Sequence, residues 1–211
     1  MSRHALHERI ELAESLRDTD PAAPTLCGDW NAAQLAAHLV LRERSPGELI
    51  GRVPSKRAHA LAQGVIDRYV ARVPYAALVD AVADGPPVWS PFALAPVRET
   101  VNMLEYLVHH EDVRRAVEGW VPRALPVQRQ ATVWSRLRMA ARLTLRSLPV
   151  AVRLEWPEHG SVSAGRGTTV TVTGAPEELA LFAFGRQRVA RVDYHGPEDA
   201  VAKARGATIA V

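Results

Sequence analysis

The chain has 211 residues, of which 47% are apolar and 23% are charged, so it can form one large domain or two small ones around a substantial hydrophobic core. No apolar run approaches the roughly 18 residues that a membrane-spanning helix needs, and the segment from Met1 to Asp20 is too polar for a secretory signal. The composition therefore predicts a cytoplasmic protein that has no membrane partner.

Cysteine and lysine are both scarce. Cys27 is the only cysteine, which excludes an intramolecular disulfide and a zinc site built from cysteines. Lys56 and Lys203 are the only lysines, so 24 of the 26 basic residues are arginine, a bias typical of a GC-rich bacterial genome. The net charge is +3, and the arginines are spread along the chain among acidic residues without a recognition motif. This pattern predicts a solvated surface and no nucleic-acid partner.

Up to about residue 147 the apolar residues recur at the spacing of amphipathic helices. The segment from His4 to Asp18 predicts a first helix. A second is predicted from Asn31, because Asn31 can cap a helix and Gln34 occupies the third helical position of a capping box. Segments rich in proline and glycine predict the loops between helices. Further helices are expected over 58–72, 74–83, 96–118 and 126–146.

The pattern changes after Leu148. Apolar and polar residues alternate over 151–156 and 168–173, which predicts two strands, and the three glycines between them indicate a hairpin turn over 158–167. A helix over 176–184, a strand over 189–194 and a helix over 197–204 complete the prediction. We therefore expect a mainly α fold with a domain boundary near 148: a helical bundle over 1–148 and a small α+β domain over 149–211.

One predicted helix carries a candidate for metal binding. Glu105 and His109 are four residues apart, so they share one helix face, and Asp112 continues that face three residues on. Val101 and Val108 lie on the same face, which should therefore point partly inward. Burying ionisable groups is costly unless they are paired or bind a metal. A Glu–His pair at this spacing can reach one metal ion, although the same spacing is common in simple surface contacts.

A metal site needs a further ligand, for which His38 is the best candidate. It interrupts the apolar inner stripe of the second helix, formed by Leu35, Leu39 and in part Arg42. Two histidines and one glutamate would leave coordination positions open, as in catalytic rather than closed structural sites. The alternatives are that His38 is a core histidine and that Glu105 and His109 form an internal ion pair. Asp112 is expected to orient the imidazole of His109 or His38 by a hydrogen bond, without itself binding the metal. The alternative is an ion pair with Arg115.

Two motifs extend this pattern to a known family. One places Trp30 eight residues before the pair His38-Leu39, and the other is Glu-x-x-x-His-x-x-Asp-Val over 105–113. Together they resemble the mycothiol-dependent maleylpyruvate isomerase family, which belongs to the DinB-like metal-binding bundles. The segments 170–179 and 184–186 resemble the family's second domain, so the resemblance covers most of the chain.

The resemblance implies an up-down four-helix bundle with a metal site, usually zinc, for which His38, Glu105 and His109 are the ligands. It also implies mycothiol, the low-molecular-weight thiol of actinobacteria, as a cofactor that the metal activates. The expected function is a thiol transferase or isomerase that acts on a small electrophilic substrate. The alternative is a metal-binding or regulatory protein that retains the bundle but not the chemistry.

Other residues near these motifs carry weaker predictions. Cys27 precedes a helix start, where a thiolate is favoured, but a structural or bystander role is the preferred interpretation because no acid–base pair is assigned to it. His110 lies about 100° around the helix from His109 and is not expected to bind the same ion. The arginines that flank the ligand helix are expected mostly to face water, although an anionic substrate is an alternative partner for them: Arg98, Arg114 and Arg115.

Overall fold

The structure is a computed structural model that describes residues 4–45, 56–94 and 102–209. The chain divides into two compact units, Met1–Val121 and Pro122–Val211. Most of the described residues are helical, and the strands form one small sheet in the C-terminal unit. This confirms the expected fold class, a mainly α chain with a small α+β part at its C-terminal end.

The described part of the N-terminal unit consists of helices. Helix α1 packs on α4 and α5, and α2 packs on α3 and α4. Apolar side chains from α1, α2, α3 and α4, together with Tyr106 and Val113 of α5, meet in one buried cluster. The helices are α1 (His4–Arg17), α2 (Ala32–Arg44), α3 (Lys56–Val70), α4 (Tyr75–Asp84) and α5 (Met103–Arg114), with a 3-10 turn at Pro91–Ala93.

Helix α2 begins as its sequence predicts. The Asn31 side chain accepts a hydrogen bond from the Gln34 backbone N–H, and the Gln34 side chain accepts one from the Asn31 backbone N–H. Both bonds of a capping box are present, so two backbone donors that the helix itself leaves unpaired are satisfied. This cap fixes the start of α2, and with it the direction in which His38 leaves the helix two turns later.

The C-terminal unit combines helices with a four-stranded sheet of order β2-β1-β3-β4. Strands β1 and β3 run parallel, and the outer strands β2 and β4 run antiparallel to their neighbours. The buried helix α7 packs on α6 and β1. The elements are α6 (Val127–Thr144), a 3-10 turn (Leu145–Ser147), β1 (Ala151–Trp156), β2 (Gly160–Ala164), β3 (Thr169–Thr173), α7 (Pro176–Ala183), β4 (Asp193–His195) and α8 (Glu198–Gly206).

The turn between β2 and β3 must pass across the start of β1, because β1 lies between these two strands. Gly165 makes this crossing with a φ of 87°. A Cβ atom at Gly165 would lie 2.7 Å from the carbonyl oxygen of Val150. Glycine is therefore required here both by its backbone conformation and by the close approach of the two chain segments.

Several predicted boundaries differ from those observed. The segment 158–167 was predicted to be a hairpin turn between two strands, but it contains strand β2, in which Val162 is the only large apolar residue. The two strands that it connects, β1 and β3, run parallel, so they do not form the expected hairpin. The helix predicted over 96–118 is observed as α5, and its expected start lies outside the described residues. The predicted helix 126–146 is observed as α6. It belongs to the C-terminal unit, because it packs on α7 and β2, whereas the expected boundary near 148 grouped it with the bundle.

Among the residues that the structure describes, no helix combines the length and the apolar character that crossing a membrane would require.

Candidate metal centre

Helices α2 and α5 bring three potential metal ligands together around one carboxylate oxygen. Glu105 Oε1 lies 3.3 Å from His38 Nε2 and 3.4 Å from His109 Nε2. Potential ligand atoms of the three residues all lie within 4.8 Å of one another. The two imidazole rings meet edge to face, with centroids 5.4 Å apart. The structure thus brings together the three residues that the sequence analysis selected.

The distances from Glu105 Oε1 to the two imidazole nitrogens are long for hydrogen bonds and are compatible with a shared metal ion. Two donors about 2.1 Å from a tetrahedral zinc ion lie about 3.4 Å apart. The usual N–H···O distance is about 2.9–3.0 Å, which is shorter than either contact observed here. Two of the three donor pairs, each made of an imidazole nitrogen and the Glu105 carboxylate oxygen, therefore have a spacing that one zinc ion allows, and the residue types present fit a metal.

The protonation states of two of these residues suit metal binding. Burial alone would raise the pKa of Glu105, but the Arg42 guanidinium and hydrogen bonds from His109 and His38 hold that pKa well below its usual range. Glu105 is therefore a carboxylate. Burial lowers the pKa of His38 against the opposing effect of its bond to Glu105, which favours the neutral imidazole. A carboxylate and a neutral imidazole are the forms that bind metals.

Asp112 contacts Nδ1 of His109, the ring nitrogen that does not face Glu105. This Nδ1 donates to Asp112 Oδ2 at 2.9 Å, and Asp112 is fully buried. Burial by itself would lower the pKa of His109, but hydrogen bonds with Asp112, Cys27 and Glu105 raise it well above its usual value. A carboxylate on Nδ1 fixes the orientation of the ring, and a metal ion at Nε2 would replace the proton that the raised pKa keeps there.

Arg42 is the member of this site whose role the sequence did not indicate. Its Nε lies 3.3 Å from Glu105 Oε1, and its Nη1 donates to Asn102 Oδ1 at 2.8 Å. The guanidinium also lies 4.4 Å above the ring of Phe92. Arg42 is one helical turn after His38, so a spacing argument on α2 could have placed it near the site. It supplies the positive charge that Glu105 needs in the absence of an ion.

Cys27 and Trp30 border the site from the loop before α2. The Cys27 thiol lies within 4.8 Å of potential ligand atoms of His109 and Asp112, which makes this trio a second possible metal-binding group that shares His109. The loop is tied to α5 because Leu26 N–H donates to the Asp112 carbonyl at 3.0 Å. The Trp30 ring lies 4.9 Å from that of His38 and forms an aromatic wall beside it.

His110 faces α1 rather than the candidate metal site. Its Nδ1 lies 3.1 Å from Glu8 Oε1, and its Nε2 lies 2.8 Å from Ser15 Oγ. Glu8, Glu11 and His110 also satisfy the distance test for a metal-binding group. Both ring nitrogens of His110 have hydrogen-bond partners on α1, so His110 joins α5 to α1.

The arginines that flank the ligand helix are engaged near its C-terminal end. Arg114 donates to Glu111 and to the carbonyl of Val121. Arg115 pairs with Glu111 and lies 4.4 Å above the Trp120 ring. Arg98 lies outside the described residues.

These contacts define a candidate metal centre made by α2 and α5, with one carboxylate oxygen at its focus. In comparisons with protein-family models, curated proteins and solved structures, nothing was found to match this chain.

Proposed function

We propose that the N-terminal unit is a DinB-like bundle in which His38, Glu105 and His109 bind one divalent metal ion, zinc. The observation that carries this proposal is the convergence of both imidazole nitrogens on Glu105 Oε1 at 3.3 and 3.4 Å. Two histidines and one glutamate are a ligand set of catalytic zinc sites, in which a further position stays open. The match of the Trp30–His38 and 105–113 motifs to the maleylpyruvate isomerase family also supports it.

We further propose that the open position receives a small thiol, mycothiol, and that the protein is a thiol transferase or isomerase for a small electrophilic substrate. A bound zinc ion supplies one piece of chemistry: it lowers the pKa of a coordinated thiol and keeps it as the nucleophilic thiolate. The chain's own residues organise the site. Asp112 orients the His109 ring, Arg42 holds the Glu105 carboxylate, and Trp30 lines the side of His38.

The metal part of the proposal is tested by elemental analysis of the purified protein and by zinc titration. We expect about one zinc ion per chain and a loss of affinity of at least about tenfold in H38A, E105Q and H109A, because each change removes a ligand atom. His7→Ala is the matched control, since His7 is exposed on α1 and should not affect zinc content. A wild-type protein that binds no zinc, or an H7A variant that loses as much as H38A, contradicts the assignment.

The thiol part is tested separately with cobalt in place of zinc. A thiolate bound to Co²⁺ gives an intense near-ultraviolet charge-transfer band, so mycothiol should generate this band in the cobalt protein but not in metal-free protein. Cys27→Ser should show the same band, which separates an added thiol from the protein's own cysteine. Bound metal without any thiol-induced band would instead favour the alternative function, a metal-binding protein without this chemistry.

A further inference from the structure

The charge of this chain is concentrated in one part of the sequence. Residues 119–154 contain seven arginines and no aspartate or glutamate. The rest of the chain therefore has 19 basic and 23 acidic residues, so the net charge of +3 arises from this segment. In this segment the arginines are therefore not interspersed with acidic residues, unlike in the rest of the chain.

Three exposed arginines from two different elements line one pocket in the C-terminal unit. Arg142 lies in the last turn of α6, Arg146 in the 3-10 turn that follows, and Arg166 in the turn between β2 and β3. The pocket has a volume of about 560 Å³, and Leu148 forms part of its lining. This volume is within the range typical of small-molecule sites. None of the candidate metal ligands lines it.

The three guanidinium groups lack protein counter-charges. Within the described part of the chain, Arg142, Arg146 and Arg166 have no hydrogen-bond or ion-pair partner, and no acidic residue lines the pocket. Arg142 and Arg146 are also four residues apart, a spacing at which like charges on a helix repel. The arrangement is thus unfavourable for the isolated protein, and an anion between the arginines would relieve it.

The pocket is framed by well-anchored backbone. Helix α6 packs on β2, which fixes the distance between the arginine-bearing end of α6 and the strand that leads to Arg166. Gly165, next to Arg166, passes so close to the Val150 carbonyl that no side chain fits there. The position of Arg166 opposite α6 is therefore set by the crossing of the chain over β1. Side chains presented from anchored elements lose less freedom when they bind a ligand than side chains on a loose loop.

We propose that this pocket binds the phosphate group of a small phosphorylated molecule. Arginine forms paired, parallel hydrogen bonds to phosphate oxygens, and a phosphate dianion has enough oxygens to engage more than one guanidinium. The confinement of the three unpartnered arginines to one pocket favours a small anion over an extended polyanion. The site is independent of the metal-and-thiol function proposed above, because all of its residues belong to the C-terminal unit.

The proposal is tested by calorimetric titration of the full chain with pyrophosphate and with inorganic phosphate at low salt. We expect saturable binding of one anion per chain. Affinity should fall about fivefold or more in R166Q and further in R142Q/R146Q, because each change removes donors from the pocket. Arg138→Gln is the matched control: it removes the same charge from an exposed position one turn before Arg142, outside the pocket, and should change affinity less than about twofold.

Three results would overturn this assignment. The first is the absence of saturable binding of either anion by the wild-type protein. The second is an equal loss of affinity in R138Q and R166Q, since a general positive field rather than a pocket would then attract the anion. A short DNA duplex is included as a competitor: tight duplex binding that R138Q weakens as strongly as R142Q/R146Q would also overturn the small-molecule site, in favour of an extended basic surface.

Discussion

At the scale of single residues, Glu105 is the centre of the candidate site, because both histidines and Arg42 approach the same carboxylate oxygen. The i, i+4 spacing was enough to predict that Glu105 and His109 share a face. Spacing within one helix could not reach His38, which lies on another helix and was selected by its apolar surroundings and by the family resemblance. The contact of Arg42 with Glu105 depends on how α2 and α5 pack, so helical periodicity alone did not predict it.

The substitution Arg42→Met should change how strongly zinc stabilises the protein. Arg42 neutralises Glu105 when no metal is bound, so its loss should destabilise the metal-free protein by about 1–3 kcal/mol. Zinc takes over the same neutralising role. The rise in melting temperature on adding zinc, measured by calorimetry, should therefore be larger in R42M than in the wild type.

Arg42→Lys is the control for this experiment, because it keeps the positive charge while losing the guanidinium geometry. Its zinc-dependent rise in melting temperature should lie between those of the wild type and R42M. If zinc stabilises all three proteins equally, Arg42 does not act as the counter-charge of Glu105, and the contact between them is incidental.

The neighbouring histidines of α5 should respond differently to substitution. His110→Ala removes buried hydrogen bonds to Glu8 and Ser15 that join α5 to α1, and we expect a loss of about 1–3 kcal/mol in the free energy of unfolding. Zinc content should stay unchanged, whereas H109A should lose zinc. Denaturant unfolding and elemental analysis of both variants measure the two effects. Loss of zinc in H110A under folded conditions would mean that His110 contributes to the metal site after all.

At the scale of elements, local sequence signals succeeded where the local chain decides the structure. The capping box at Asn31 and the short helix after Pro176 depend on residues only a few positions apart, and both were predicted. Strand β2 was missed because its pairing with β1, rather than its own apolar pattern, makes it a strand. Val162 is the only large apolar residue of β2, so its own apolar pattern is too weak to predict a strand, although its partner β1 ends close by at Trp156.

Glu177, in the first turn of α7, is subject to two opposing effects, the helix dipole and burial, and the sequence does not indicate which is larger. An acid at a helix N-terminus is favoured by the helix dipole, but Glu177 is buried, and burial raises its pKa despite hydrogen bonds from its own backbone and Gln130. Folding raises the pKa of Glu177, so the protonated side chain makes its full contribution to stability below the unfolded-state pKa. This contribution is lost as the pH rises through the folded-state pKa.

The substitution Glu177→Gln should therefore stabilise the protein at neutral pH. Glutamine keeps an acceptor for Gln130 and removes the buried charge. The melting temperature of E177Q at pH 7 should exceed that of the wild type by a few degrees, and the two proteins should melt together at pH 4, where the carboxyl is protonated. Glu158→Gln, at an exposed position, is the control that should have no such effect. Equal melting temperatures of E177Q and the wild type at pH 7 would show that burial does not destabilise the carboxylate.

At the scale of the whole molecule, the division into units depends on α6. Its amphipathic spacing is the same as that of the helices before it, so periodicity alone grouped it with the bundle and placed the boundary near 148. Its contacts with α7 and β2 group it instead with the sheet, and the division falls between Val121 and Pro122. A helical pattern shows that one face is buried but not which element covers it.

Zinc binding should distinguish these two groupings when it is followed by hydrogen exchange and mass spectrometry. A ligand slows amide exchange in the cooperative unit that contains its site, because opening of that unit requires release of the ligand. Since all three proposed ligands lie on α2 and α5, peptides from 32–44 and 103–114 should exchange more slowly with zinc, whereas peptides from β1 and β3 should not change. The decisive peptides are those from 127–144: unchanged exchange supports the grouping of α6 with the sheet. If zinc slows them as much as 32–44, α6 unfolds together with the metal-binding helices, and the boundary near 148 describes the cooperative units better.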